Sequence, residues 1–188
     1  QSVWDRYNSV YMPSDTLVLF DEWYGCRLEE YGPDEPPNVG LKLSSAELAR
    51  GIKDRERAFG FYVNPGPADS QIYSETDKGS NTIAKEMEGE GVSWIRARKG
   101  PGSRANGWEL LRTRFRNGLR LGTEGNIQAA ALFATINCRG WLRTVPVLPR
   151  SKDKPNDTMK TAEDHAGDGT RYALYANTPS VQVGEWLM

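Results

Sequence analysis

The chain is short of the residues on which several protein classes depend. Two cysteines in 188 residues, Cys26 and Cys138, are too few and too isolated for a disulfide framework or a thiolate zinc site, and point to a reducing cytoplasm. No apolar run approaches the roughly 18 residues of a spanning helix. The opening Gln-Ser-Val-Trp-Asp-Arg lacks the basic start and apolar core of a signal peptide. There is no Gly-x-x-x-x-Gly-Lys-Ser/Thr phosphate loop, no internal repeat and no low-complexity tract. Net charge is −1, so the total argues neither for nor against a nucleic-acid partner. The first residue is Gln1 and not methionine, which suggests a piece of a longer polypeptide. What remains, 38% hydrophobic and 26% charged residues, is the composition of one soluble globular domain with a proper core.

The distribution of charge says more than the total. From Trp94 to Arg120 there are eight basic residues (Arg96, Arg98, Lys99, Arg104, Arg112, Arg114, Arg116, Arg120) against one acid, Glu109. Acids gather at 21–34 and 153–168. Such segregation suits a protein that holds phosphates in one place and cations in another. It also suits a solvated helix face.

Local patterning predicts elements in a definite order. Ser2–Met12 and Thr16–Tyr24 read as extended segments joined by Pro13-Ser14-Asp15, an antiparallel hairpin. A Gly/Pro-rich acidic loop follows at 25–40. Ser44 or Ser45 caps a helix running to about Arg57, and Phe59–Val63 reads as a short buried strand. Helices are expected at Ser80–Gly89 and Ser103–Arg116, with a strand at Val92–Ile95 between them. Ala129–Ala134 reads as a strand, followed by a short helix through Trp141 to about Thr144. The last helix spans Thr161–Ala176, with Thr161 and Asp164 spaced as a capping box. Hairpin strands followed by strand–helix alternation imply an α/β fold, a mixed sheet flanked by helices.

That last helix carries the densest chemistry. Glu163, Asp164, Asp168 and the only histidine, His165, fall within six residues, and offsets of three and four put His165, Asp168 and Tyr172 on one helix face. Glu163 and Asp164 suit the positive end of the helix dipole. Asp168 lies beyond it, between Gly167 and Gly169, and two glycines in a helix interior imply close approach of something. Asp69 follows the Asn64-Pro65-Gly66-Pro67 turn at the C-terminal mouth of a strand, where open α/β sheets bind ligands. The same residue suits a turn aspartate that accepts from its own backbone. Two carboxylates from separate elements would favour Mg²⁺ or Mn²⁺, the cations of two-metal phosphodiester hydrolysis. A neutral His165 beside them could orient a water, shuttle a proton or touch the scissile phosphate. Trp94 and Trp108 read as core.

At these residues the chain resembles the nuclease domain of phage large terminases, whose fold is RNase H-like. Glu163-Asp164-His165-x-x-Asp168-x-x-Arg171-Tyr172-Ala173-Leu174 resembles the closing motif of that family. In order along the chain, Leu17–Gly25 with its Glu-Trp-Tyr-Gly ending, Leu43–Ile52, Gly66-Pro67-Ala68-Asp69-Ser70, Lys99–Leu110 and Arg143–Pro146 are similar to further family segments, so the likeness covers almost all of residues 1–188. The resemblance implies an endonuclease that cuts concatemeric double-stranded DNA at the start and end of packaging. It implies Asp69 and Asp168 as metal-binding acids with Asp164 beside them, His165 as the neighbouring catalytic histidine, and Mg²⁺ or Mn²⁺ as cofactor. The family's first acid would fall at or before Gln1, in which case this chain would bind metal weakly and cut poorly; the alternative is that Asp5 takes its place. Arg96, Arg98, Lys99 and Arg104 would clamp the DNA backbone. An ATPase domain would lie N-terminal to Gln1, with the portal and the small terminase subunit as further partners in the host cell cytoplasm. A different RNase H-like nuclease, or a catalytically inactive RNase H-like module that binds DNA or the portal, are the competing readings.

Overall fold

Ser44 starts the first long helix as the spacing predicts. Its hydroxyl accepts from the Glu47 N–H at 3.3 Å and the Glu47 carboxylate accepts from the Ser44 N–H at 2.8 Å, a reciprocal capping box. A computed structural model describes residues 12–25, 40–76, 79–119, 126–159 and 162–177. In chain order the elements are β1 (Leu17–Leu19), α1 (Ser45–Phe59), β2 (Gly66–Ala68), β3 (Glu75–Thr76), β4 (Gly79–Thr82), α2 (Ile83–Gly89), β5 (Trp94–Arg96), α3 (Ser103–Leu119), β6 (Leu132–Ala134), α4 (Arg139–Thr144) and α5 (His165–Asn177). The class is mixed α/β. Among the described residues the strands form three two-stranded pairs: β1–β6 and β2–β5, both parallel, and β3–β4, antiparallel. No helix of the described residues is long and apolar enough to cross a membrane.

Several expectations need correction. Thr16–Tyr24 contributes only the short β1, whose described partner is β6 in parallel; most of Ser2–Met12, including Asp5, lies outside the described residues. Phe59–Val63 is not a buried strand. The helix runs on to Phe59 and ends at Gly60, whose φ of 73° is left-handed. The backbone N–H groups of Gly60 and Phe61 return to the Glu56 carbonyl, and that of Val63 to its carboxylate at 3.4 Å, so they serve the helix end and not a ladder. Phe59, Phe61, Tyr62 and Val63 are consequently exposed, and the strand comes later, at β2. The second helix starts at Ile83 and not Ser80, because Thr82 takes the N-cap and residues 79–82 pair with β3. Thr161 lies outside the described residues, and α5 begins at His165, leaving Glu163 and Asp164 ahead of the helix.

Two apolar clusters organise the molecule. Trp108, Leu111, Leu132, Cys138, Trp141, Val145 and Leu174 knit α3, α4, α5 and β6 together, with Leu17 and Leu19 of β1 against them. Ala49, Met87 and Val92 form the second, between α1 and α2, joined by Trp94 of β5. Trp108 is thus core and Trp94 packs on core, as expected. α5 approaches α3 closely because two glycines leave room: a Cβ on Gly107 would lie 2.3 Å from the Arg171 stem, and one on Gly167 would lie 2.6 Å from the Trp108 indole. The close approach implied by the glycines around Asp168 is therefore an indole at Gly167. At Gly169 a Cβ would meet open space.

Candidate functional site

In a parallel pair the C-terminal ends of both strands lie side by side. Asp69 follows the end of β2, and Ala97, Arg98 and Lys99 follow the end of β5. The Ala97 N–H donates to the Ala68 carbonyl at 2.9 Å, continuing the ladder to the edge where Asp69 emerges. α5 lies against β2 and brings its Tyr172 to the same edge, where the phenol donates to Asp69 Oδ2 at 2.7 Å across 103 residues of sequence.

Asp69 is held by three donors. Lys99 Nζ lies 2.6 Å from Oδ2 and 3.3 Å from Ser70 Oγ, Tyr172 shares Oδ2, and the Gln71 N–H donates to Oδ1 at 2.9 Å. The Gln71 bond is the turn geometry open to this residue from its sequence, so Asp69 serves as a turn aspartate and still faces the strand mouth. Burial pushes the Asp69 carboxyl up, but Lys99, Gln71 and Tyr172 outweigh it and hold it at about 2. Lys99 is raised in turn, chiefly by its bond to Asp69. For Tyr172, burial and then the bond to Asp69 both favour the neutral phenol.

A second knot lies one helical turn before Tyr172 on α5. Arg104, near the start of α3, uses all its nitrogens: Nε to Asp157 at 2.7 Å, Nη1 to both oxygens of Asp168 at 3.0 and 3.2 Å, and Nη2 to Asp164 at 2.6 Å and Thr158 Oγ1 at 2.9 Å. Arg171 adds a further contact to Asp168 at 3.1 Å. Burial works against the Arg104 charge, and Asp164, Asp157 and Asp168 more than restore it. Asp157 sits below the usual carboxylate range: burial raises it, while Arg104 and the Thr158 N–H lower it further. The Trp108 indole N–H is buried without a hydrogen bond of good geometry among the described residues, yet lies close enough to Asp157 to help lower it.

The expected site residues thus divide. Asp69 with Lys99, and Asp164 and Arg104 with Asp168, meet α5 at neighbouring points, the first pair at Tyr172 and the second group at Asp168. They are linked through Tyr172 and Arg171, whose guanidinium lies 4.5 Å from the Tyr172 ring centre. His165 makes no hydrogen bond or ion pair with them among the described residues. It is exposed and lines a cleft of about 420 Å³ with Glu22, Trp23, Tyr24, Gly25, Gly40 and Ala166. Arg104 is a clasp between α3 and the acidic loop, not an open phosphate clamp. Arg96 stacks 4.1 Å from the Tyr73 ring centre, and Arg98 is exposed with no ion pair among the described residues. An apolar cleft of about 430 Å³ between α3 and β6 contains none of the candidate acids.

Sequence reasoning missed Asp157, Thr158 and Glu22. Asp157 and Thr158 complete the Arg104 knot. Glu22 accepts from the Trp141 N–H at 3.1 Å and so caps α4, whose own N-cap Cys138 supplies no side-chain bond. The signal for the knot was present in the opposite charges of 96–120 and 153–168, which meet each other directly.

No family model, curated protein or solved structure matches the chain. A divalent-cation site must be tested on geometry alone. Among the described residues no group of three His, Cys, Asp or Glu side chains is placed to hold a metal ion. The Asp69 and Asp168 carboxylates are each occupied by cationic side chains of the same chain. In this arrangement the residues do not fit a metal cage.

Proposed function

We propose that this chain is a DNA endonuclease domain of the large-terminase type. It would have an RNase H-like fold and use Mg²⁺ or Mn²⁺ to hydrolyse double-stranded DNA as a viral genome is packaged. The observation that carries the reading is the Tyr172–Asp69 hydrogen bond. It joins the acid at the mouth of the parallel pair to the helix face that bears Asp168, the two acids that the ordered motifs single out. The exposed bases Arg96 and Arg98 leave β5 at the same edge, where a phosphate backbone would be met without regard to sequence. The ATPase domain of the same polypeptide, the portal and the small terminase subunit are the partners of this reading, in the host cytoplasm.

The saturation of both carboxylates by Lys99, Arg104 and Arg171 favours a second reading, an RNase H-like module that holds DNA or the portal without cutting. Nicking of supercoiled plasmid in Mn²⁺ separates the two. The nuclease reading expects nicking that Asp69→Asn and Asp168→Asn each abolish while duplex binding persists. Duplex retention with no nicking by the unsubstituted chain, or nicking indifferent to both substitutions, removes the nuclease reading.

A further inference from the structure

The cleft that His165 lines is separate from the clasped carboxylates. Its walls combine two aromatic rings, Trp23 and Tyr24, with two polar side chains, Glu22 and His165, around a space of about 420 Å³. Both rings are pinned by groups outside the cleft. Trp23 packs on Gly51, with the Arg55 guanidinium 4.1 Å from its ring centre; Tyr24 packs on Gly140 and donates to Glu163 at 2.5 Å. The aromatic wall is therefore preformed, which lowers the ordering cost of taking up a flat ligand.

The polar pair is largely free. Glu22 uses one oxygen, Oε2, to accept from the Trp141 N–H at 3.1 Å, and its Oε1 has no partner among the described residues. A carboxylate offers about four acceptor positions, so most of its capacity remains. His165 is exposed and makes no hydrogen bond or ion pair among the described residues. The Glu22 charge disfavours a bare phosphate, and two ligating side chains are too few to cage a metal ion. A planar ring with adjacent N–H donors on one edge suits both the wall and the carboxylate. Among the DNA bases, guanine alone carries two such donors side by side, at N1 and N2, and its O6 and N7 accept from an imidazole N–H. That donor edge is accessible only in an unpaired base. His165 lies three residues before Asp168 on α5, roughly 4.5 Å along the axis, close to the roughly 3.4 Å step between stacked nucleotides.

We propose that this cleft holds one unpaired base of a DNA strand, guanine by preference, stacked on the wall of Trp23 and Tyr24. Its N1 and N2 hydrogens are donated to Glu22, and its acceptor edge faces His165. The site rests on the DNA-binding reading above and deepens it: Arg98 meets the backbone of any sequence, and the cleft adds a base preference at one position of a single strand.

The test is fluorescence anisotropy with labelled oligothymidylate strands carrying guanine, adenine, cytosine or an abasic residue at one central position, in EDTA. The guanine strand is expected to bind at least about tenfold tighter than the abasic one, and tighter than the adenine and cytosine strands. Glu22→Gln keeps an oxygen for the Trp141 N–H but sets an amide beside the ring, and should bring the guanine strand to within about twofold of the abasic one. His165→Ala should weaken the guanine strand about threefold or more with an unchanged thermal melt, since the imidazole has no partner to lose. Neither substitution should alter affinity for a blunt, fully paired duplex, which a loss of folding would lower as well. Equal binding of the guanine and abasic strands, with duplex still bound, overturns the base site and leaves the DNA reading standing. A guanine preference that survives both substitutions does the same. Failure to bind single strand and duplex alike overturns the base site together with the DNA reading on which it rests.

Discussion

Asp69 shows how one carboxylate serves a turn, a helix contact and an ion pair at once. Its folded pKa of about 2 lies below the ordinary 3.8, so the group stabilises the fold above about pH 4 and loses that contribution as pH falls through about 2. With the side chain 35% exposed, the stabilisation is about 1–2 kcal/mol after allowance for solvent screening. In EDTA, the stability difference between the parent and Asp69→Asn should therefore shrink between pH 4 and pH 2; a difference constant across that range would contradict the assigned pairing. The glycines flanking Asp168 give a sharper residue-level contrast. A methyl at Gly167 collides with the Trp108 indole, so Gly167→Ala should cost about 1–3 kcal/mol despite better helix propensity. Gly169 faces open space, and Gly169→Ala should stabilise by up to about 1 kcal/mol. Thermal melts of the two variants should move in opposite directions, and shifts of the same sign would refute the packing described. From sequence the two glycines were indistinguishable, because spacing shows that a helix is thinned but not which side faces an indole.

At the scale of elements, what was legible depended on whether the signal was local. The start of α1 was readable because Ser44 and Glu47 are three residues apart and bond only each other and the helix end. α3 followed from the apolar spacing of Trp108, Leu111 and Phe115. Phe59–Val63 misled because aromatic, β-branched composition is shared by strands and by exposed helix-end turns; Glu56, seven residues before Val63, decides the outcome by taking its N–H. The charge segregation was legible, and its consequence was not: a basic run next to phosphate and a basic run paired with the chain's own acids look alike in sequence. This difference separates Arg98 from Arg104. Arg98→Ala should weaken duplex binding and reduce the slope of log affinity against log salt by about one, with an unchanged melt. Arg104→Met should act first on stability. It is expected to cost about 2–3 kcal/mol, less than breaking a fully buried network because the side chain is 38% exposed, as the loop bearing Asp157 and Asp164 loses its hold on α3. Equal losses of DNA affinity from both variants, with both melts unchanged, would return Arg104 to the role of an open clamp.

At the scale of the whole molecule, the candidate site lies where the two apolar clusters meet. β2 and β5 carry Asp69 and Lys99 on the side of the α1–α2 cluster, and α5 brings Asp168 and Tyr172 from the α3–α4–β6 cluster. The segment after β1 is a second tie: Trp23 packs on Gly51 of α1, with Arg55 4.1 Å from its ring centre, and Tyr24 packs on Gly140 of α4 and donates to Glu163 at 2.5 Å. A site at such a junction is sensitive to how firmly its halves are held, because a small relative shift separates groups that only tertiary contact brings together. Tyr172→Phe removes a single hydrogen bond and keeps the ring, so its direct cost is about 1 kcal/mol. The functional cost should be larger than that figure implies, since Asp69 loses the bond that fixes it relative to α5. The expected result is a melt lowered by a few degrees together with plasmid nicking reduced at least about tenfold while duplex affinity is retained. A variant that melts as predicted but nicks at the parental rate would show that the junction stabilises the fold without organising the chemistry.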